Sequence, residues 1–171
     1  VSCPGELISF SDASTGPFPM ISWQWDFGDG TTSNAQNPTH AYTTPGTYTV
    51  SLIVSDGIGC GDTIVMNSMV NVYNGPTANF TYTPTTGCDP LTVNFTDVST
   101  GGSAAIVSHL WTFGDGNGSA QQNPIYTYTS PGVYDVRLLI TDANGCVDTL
   151  AQQVEVFEIP VVDFTADIRR G

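Results

Sequence analysis

The sequence contains no lysine. Three arginines face 16 acids, for a formal net charge of −13 over 171 residues, and Arg137 is the only base ahead of the terminal Arg169 and Arg170. With no basic stripe to neutralise phosphates or anionic headgroups, nucleic acid and bare anionic membrane are poor partners. Charge of either sign is scarce: Asp, Glu, Lys and Arg together make 11% of the chain, well under the roughly 25% usual in soluble domains. An acidic, lysine-free surface suits a secreted protein, because it offers trypsin-like proteases few sites and divalent cations a favourable field. Long apolar runs are missing too. None approaches the roughly 18 residues that a membrane span needs, and Val1-Ser2-Cys3-Pro4 has neither the basic nor the apolar region of a signal peptide. Any export signal is therefore expected elsewhere in a longer chain. No stretch carries a helical period of 3.6 residues.

What is present is a repeat. Trp25-Asp26-Phe27-Gly28-Asp29-Gly30 returns as Trp111-Thr112-Phe113-Gly114-Asp115-Gly116. Aromatic residues two apart point to one face of a strand, so each pair enters a core, and Gly-Asp-Gly turns the chain sharply behind it. The punctuation that follows also recurs: Asn37-Pro38, Tyr42, Pro45-Gly46 and Tyr48, then Asn123-Pro124, Tyr128, Pro131-Gly132 and Tyr134. Alternating strands precede each motif, at Ile8 and Phe10 and at Leu91, Val93 and Phe95. The clearest strands follow it, with Tyr48, Val50, Leu52 and Val54 on one face and Tyr134, Val136, Leu138 and Ile140 on the matching face. Glycine-rich hairpins at 56–60 and 142–146 return the chain into a last strand. Two extra residues between Thr63 and Val70 in the first copy predict a bulge or a longer hairpin.

The chain therefore reads as all-β, two tandem antiparallel β-sandwiches of about 80 residues each, over residues 1–74 and 76–158. The join at Tyr73-Asn74-Gly75-Pro76 recurs at Glu158-Ile159-Pro160, and Val161-Val162-Asp163-Phe164-Thr165 matches residues 77–81. Residues 160–171 are accordingly expected to open a third repeat, and the first repeat lacks the corresponding strand ahead of Cys3. A surplus strand and an empty edge in one chain predict head-to-tail association by strand donation. The simpler account is a window cut from a longer array.

Trp-Asp-Phe-Gly-Asp-Gly, followed by Asn-Pro-Thr-His-Ala-Tyr and Pro-Gly-Thr-Tyr-Thr-Val, resembles the signature of PKD domains, the polycystic-kidney-disease-type Ig-like β-sandwiches. The resemblance covers nearly the whole chain, twice. It implies an Ig-like fold in which Trp25 and Trp111 pack between two sheets. It also implies an extracellular or cell-surface setting, since PKD domains are mostly modules of large surface proteins or secreted hydrolases, but it names no ligand. Cys-Gly-Asp-Thr at 60–63 and Asn-Gly-Cys-Val-Asp-Thr at 144–149 resemble the arrays of large Bacteroidota surface proteins, of the adhesin or gliding type.

The four cysteines take matching places, Cys3 and Cys88 ahead of the first core strand and Cys60 and Cys146 in the hairpin after the strongest one. The connectivity expected from the repeat is Cys3 with Cys60 and Cys88 with Cys146. Each bond would close a loop of about 60 residues, worth up to roughly 4 kcal/mol, and would place the chain in an oxidising compartment. Zinc is the alternative, disfavoured by the spacing and by the lack of a neighbouring histidine.

Some PKD domains hold calcium through Asp-x-Asp-Gly ahead of the Trp, where this chain has Ser14-Thr15-Gly16 and Ser99-Thr100-Gly101. Calcium wants roughly six to eight oxygens. The recurrent acids left to supply them are Asp12 with Asp56 and Asp97 with Asp142, and the alternative for each is an Asx-turn that accepts backbone N–H groups. No cofactor is expected, with calcium as the open alternative. Asp26 gives way to Thr112, which marks it as solvent-facing. Asp29 and Asp115 recur as structural turn residues beside Gly28, Gly30, Gly114 and Gly116.

His40 corresponds to Tyr126 and His109 to Gln24 or its neighbour, so neither imidazole recurs. No Ser, His and acid recur together, and no His-Glu-x-x-His is present, so no enzymatic site is expected. Thr63 and Thr149, in Asp62-Thr63-Ile64 and Asp148-Thr149-Leu150, resemble the O-glycosylation acceptor of Bacteroidota secreted proteins; the alternative is a plain strand start. Asn79, Asn94 and Asn117 are sequons that matter only in a eukaryotic source.

The expected function is a non-enzymatic structural repeat, a stalk or spacer in a large cell-surface or secreted protein serving adhesion or a surface filament, with neighbouring repeats of the same chain as its partners. The competing class is a glycan- or protein-binding accessory module of a secreted hydrolase, with Trp23 or Phe18 as contact residues. Trp23 lies two before Trp25 on the same face and is matched by His109, which predicts burial instead.

Overall fold

The computed structural model describes residues 2–165, and every regular element among them is a β-strand. The first repeat supplies β1 (Leu7–Ser9), β2 (Met20–Asp26), β3 (Thr32–Ser33), β4 (Thr39–Ala41), β5 (Gly46–Asp56) and β6 (Gly61–Val72). They form an antiparallel sheet of order β3-β2-β5-β6 and a two-stranded sheet of β1 and β4. The second repeat supplies β7 (Phe80–Thr83), β8 (Thr86–Cys88), β9 (Leu91–Asp97), β10 (Ile106–Thr112), β11 (Gly118–Ser119), β12 (Ile125–Tyr128), β13 (Gly132–Asp142) and β14 (Val147–Phe157). Its sheets run β11-β10-β13-β14-β8 and β12-β9-β7. The first repeat is thus the second without β7, and with β8 reduced to a single bridge between Ser2 and Val72.

Residues of alternating polarity make these strands because one side faces the core. In β5, Val50, Leu52 and Val54 are buried while Thr49 and Ile53 point out. In β13, Val136, Leu138 and Ile140 are fully buried. The two sheets of each repeat meet through aromatic pairs, Phe10 on Trp25 at 5.7 Å between ring centroids and Phe95 on Trp111 at 5.5 Å. The two extra residues of the first repeat sit at a bulge. Tyr48 pairs Val70 and Val50 pairs Met66, so four residues of β6 answer two of β5, and Ser68 turns to a φ of 52°.

The chain divides into two compact units, one of Val1–Pro76 with Gly101–Ile106 and Asp142–Val147, the other of Thr77–Thr100, Val107–Thr141 and Asp148–Gly171. Residues 160–165, expected to open a third repeat, are not a strand in the structure. A strand is held by the N–H and C=O groups of a neighbour, and these residues meet none. Val161, Val162 and Phe164 are 86–90% exposed. The rest of that expected strand, 166–171, lies outside the described residues.

Candidate functional site

The repeated motif builds the same turn lock in both repeats. Trp25 and Trp111 are buried, and each indole N–H donates to a backbone carbonyl, Ala35 at 3.0 Å and Gln121 at 2.9 Å. Behind them Gly28 and Gly114 adopt φ of 78° and 84°. A Cβ at Gly28 would strike the Thr49 carbonyl, and one at Gly114 the backbone of Asp135, so both the conformation and the close approach require glycine. Asp29 and Asp115 cap their turns by accepting the N–H of Thr31 and of Asn117, each at 3.0 Å. Tyr42 and Tyr128, buried in the core, close the lock from inside by donating to the carbonyls of Phe27 and Phe113 at 3.0 and 3.1 Å. Burial, with the Asp29 charge nearby, pushes the Tyr42 hydroxyl up to about 12, and burial lifts Tyr128 in the same direction. Both phenols therefore stay protonated and donating.

The histidines belong to this scaffold. His40 stacks on Phe27 at 4.3 Å, and its Nε2 lies 2.7 Å from Asp29 Oδ2. Its counterpart Tyr126 stacks on Phe113 at 4.0 Å and donates its hydroxyl to Asp115. His109 occupies the place of Trp23. Its Nε2 is 2.9 Å from Asp97 Oδ2, as the Trp23 indole N–H is 2.7 Å from Asp12 Oδ2. Imidazole replaces phenol at one position and indole at the other, with the same acceptor carboxylate each time. Trp23 is half-buried against the first core, while Phe18 is 46% exposed.

Of the acids weighed as calcium ligands, Asp12 and Asp97 are engaged on both carboxylate oxygens, whereas Asp142 Oδ2 is buried without a hydrogen-bond partner. Asp12 accepts from Ser14 N, Trp23 Nε1 and Gln36 Nε2, and Asp97 from Ser99 N, His109 and Gln122 Nε2. Partial burial works against ionisation, yet these hydrogen bonds outweigh it and hold Asp12 down at about 2 and Asp97 below the ordinary value of 3.8. Asp56 and Asp142 accept the hairpin N–H groups of Ile58 and Cys60 and of Asn144 and Cys146, at 2.8–3.1 Å. No group of three or more His, Cys, Asp or Glu is gathered for a metal among the described residues. To hold calcium, Asp12 or Asp97 would have to release donors that both of its oxygens already serve, so this donor set does not fit the ion.

The cysteine pairing differs from the expected one. Cys3 is bonded to Cys146, with their Cα atoms 5.5 Å apart, and both fall in the first compact unit. Cys60 and Cys88 are free and exposed. The repeat sorts the cysteines into a leading and a hairpin kind, but a bond needs Cα atoms within about 7 Å, and only the folded chain supplies that distance. Cys60 keeps the hairpin geometry of Cys146, with its N–H on the aspartate four residues back in each case. Thr63 and Thr149 are exposed on β6 and β14, and the Thr149 hydroxyl donates to the Leu138 carbonyl at 3.0 Å. Asn79, Asn94 and Asn117 are exposed as well.

One concavity stands out, a groove of about 570 Å³ in the first repeat that opens onto Trp25, Leu52 and Val54 between the Ser14–Thr15 loop and the methionines Met66 and Met69. The core beneath it is less well covered than its counterpart. Trp25 and Val54 are 6% and 8% exposed, whereas Trp111 and Ile140 are both at 0%. The groove is a largely apolar slot whose lining also carries two carboxylates, Asp56 and Asp62, and the free Cys60.

Comparison with known proteins agrees with this geometry. A family model described as PKD domain matches residues 2–72 and again 73–157. The chain is 31% identical over 153 residues to the pre-pro-metalloprotease PrtV of Vibrio cholerae, covering 88% of this chain and 16% of that protein. It is 42% identical over 73 residues to a microbial collagenase of Vibrio alginolyticus, covering 42% of this chain and 9% of the collagenase. Among solved structures, the PKD1 domain of Vibrio cholerae PrtV aligns with a TM-score of 0.44 at 35% identity, over 48% of this chain and 96% of that domain. The chain spans less than a fifth of the length of the metalloprotease and of the collagenase. With the Trp-x-Phe-Gly-Asp-Gly lock built twice and the family model matched over both repeats, the chain belongs to the PKD domain family, as a tandem pair.

Proposed function

We propose that the chain is a non-catalytic extracellular spacer, a tandem of PKD modules that holds another domain of a large secreted or cell-surface protein at a distance. The observation that carries this reading is the duplicated lock. In both repeats the indoles, tyrosines, turn aspartates and the His or Tyr between them bond to groups of their own repeat, which stabilises a compact module and leaves no activated nucleophile. Neighbouring repeats are the partners such a module requires. Collagenases and a pre-pro-metalloprotease among the relatives favour an extracellular place of action, in a bacterial hydrolase or in an adhesin-type array.

Those same names support a second reading, an accessory module that binds glycan or protein beside a hydrolase, with the exposed Phe18 in the contact. Thermal-shift titration of the chain with soluble glycans and with collagen peptides separates the two. A spacer keeps its Tm at every ligand concentration, whereas a saturable rise favours the binding module and overturns the spacer reading.

A further inference from the structure

Asparagine followed by glycine is prone to a spontaneous reaction, because a glycine has no side chain to keep its backbone nitrogen from the carboxamide of the residue before it. The chain contains three such pairs, Asn74-Gly75, Asn117-Gly118 and Asn144-Gly145. The fold treats them differently. At Asn117 the carboxamide is held, with Nδ2 donating to Tyr126 Oη at 2.8 Å and to Asp115 Oδ2 at 3.1 Å. At Asn144 the attacking nitrogen is held: the Gly145 N–H donates to the Asp142 carbonyl at 3.0 Å, and the N–H of Asn144 itself to Asp142 Oδ1 at 2.9 Å. At Asn74 neither reacting group is engaged among the described residues. Its side chain is exposed and without a hydrogen-bond partner, and the Gly75 N–H donates to no acceptor. The glycines differ as well. Gly145 has a φ of 86°, and a Cβ at Gly118 would strike the Trp111 carbonyl, so the backbone requires both. Gly75 has no left-handed φ, and a Cβ there would rest 3.8 Å from Cys146 Cβ, an ordinary contact.

We propose that Asn74 is a self-modifying site, at which the backbone nitrogen of Gly75 closes on the Asn74 carboxamide and converts it to aspartate or isoaspartate. The Gly75 N–H gives its proton to a solvent base and the nitrogen bonds to Asn74 Cγ. The Cγ–Nδ2 bond breaks, and Nδ2 takes up a proton and leaves as ammonia. Water then opens the succinimide ring. Attack at Cγ yields aspartate, and attack at the main-chain carbonyl carbon yields isoaspartate, with no change of oxidation state in either case. The rate depends on how often the two reacting atoms meet in line, which free groups at 74 and 75 achieve and pinned groups at 117 and 144 do not. The position gives the reaction a structural consequence. The Asn74 N–H donates to Ser103 Oγ at 2.9 Å, the Asn74 carbonyl accepts the Ser103 N–H at 2.7 Å, and a Cβ on Gly102 would strike the carbonyls of both Asn74 and Gly75. All of these residues lie in the first compact unit. Isoaspartate takes the carbonyl that Ser103 holds out of the main chain, lengthens the main chain by one methylene at this crowded clamp, and adds a negative charge to a chain already at −13. The unit therefore loosens with age, on a clock set by the chain's own chemistry. This goes beyond the spacer reading and does not depend on it.

The test is incubation of the whole chain in mildly alkaline buffer, with samples reduced, alkylated and cut by an aspartate-directed protease, which leaves the three pairs in separate peptides for mass spectrometry. Labelling by an isoaspartate-specific methyltransferase gives a second readout. We expect Asn74 to convert at least tenfold faster than Asn117 and Asn144, and this advantage to vanish in urea with reductant, where the fold holds none of the three. Gly75→Ala is expected to slow conversion at least tenfold and Asn74→Gln to abolish it at this position, both with the circular dichroism and starting Tm of the wild type. The aged chain is expected to melt below Asn74→Asp, which gains the charge but keeps the main chain. Conversion at Asn117 or Asn144 as fast as at Asn74 overturns the proposal, and so does an Asn74 that stays intact while the urea sample converts. A rank order that persists in urea overturns it too, since local sequence and not the fold would then sort the sites.

Discussion

Gly28 and Gly30 share a left-handed backbone, with φ of 78° and 90°, but only Gly28 is crowded, by the backbone of Thr49; nothing lies near a Cβ at Gly30. Gly30→Ala is therefore expected to cost the conformational penalty alone, about 1–2 kcal/mol. Gly28→Ala adds overpacking and is expected to cost about 2–4 kcal/mol in urea denaturation. Gly114 and Gly116 repeat the contrast. Equal losses at the two positions would show that φ, and not the close approach, sets the requirement. Residue identity misled where role did not. Because His40 and His109 do not recur as histidines, comparison of the copies sets them aside, yet Tyr126 and Trp23 make the same stacking or carboxylate contacts. A swap of one hydrogen-bond donor for another preserves geometry while erasing the sequence signal.

At the level of elements, the strands were legible from alternation, and the extra residues of β6 from the mismatch in length between the copies. The turns that join the strands carry the pH response. Asp12, Asp29, Asp97 and Asp115 all titrate below the ordinary 3.8 in the folded chain, because hydrogen bonds from turn N–H groups and side chains outweigh the opposing effect of partial burial. A folded-state value below the unfolded one means that the ionised carboxylate stabilises the fold above about pH 4, and that this contribution disappears as pH falls from about 4 to about 2. Thermal melts from about pH 5 to about pH 2 should show Tm dropping through that window, and Asp12→Asn with Asp97→Asn should flatten the slope. An unchanged slope would place the acid sensitivity elsewhere. β1 has three residues where β9 has seven, and among the described residues it pairs with β4 alone.

For the whole molecule, the disulfide is the long-range constraint. Cys3 and Cys146 are 143 residues apart in sequence, a closure worth up to about 5 kcal/mol in the chain-entropy model. Peptide mapping without reductant should recover Cys3 linked to Cys146, with Cys60 and Cys88 alkylated in the native state, and reduction should lower the Tm of the first unit by several degrees. A Cys3–Cys60 peptide would instead restore pairing within the repeat. The sequence by itself determined the all-β class, the duplication, the turn glycines and the buried aromatic pairs, because period-two patterning and φ-restricted turns are local properties of the chain. Tertiary structure alone decided which cysteines meet, which acids the neighbouring donors engage, and that a groove opens over Trp25, Leu52 and Val54. Each of these depends on distances between residues remote in sequence, and no local pattern encodes them.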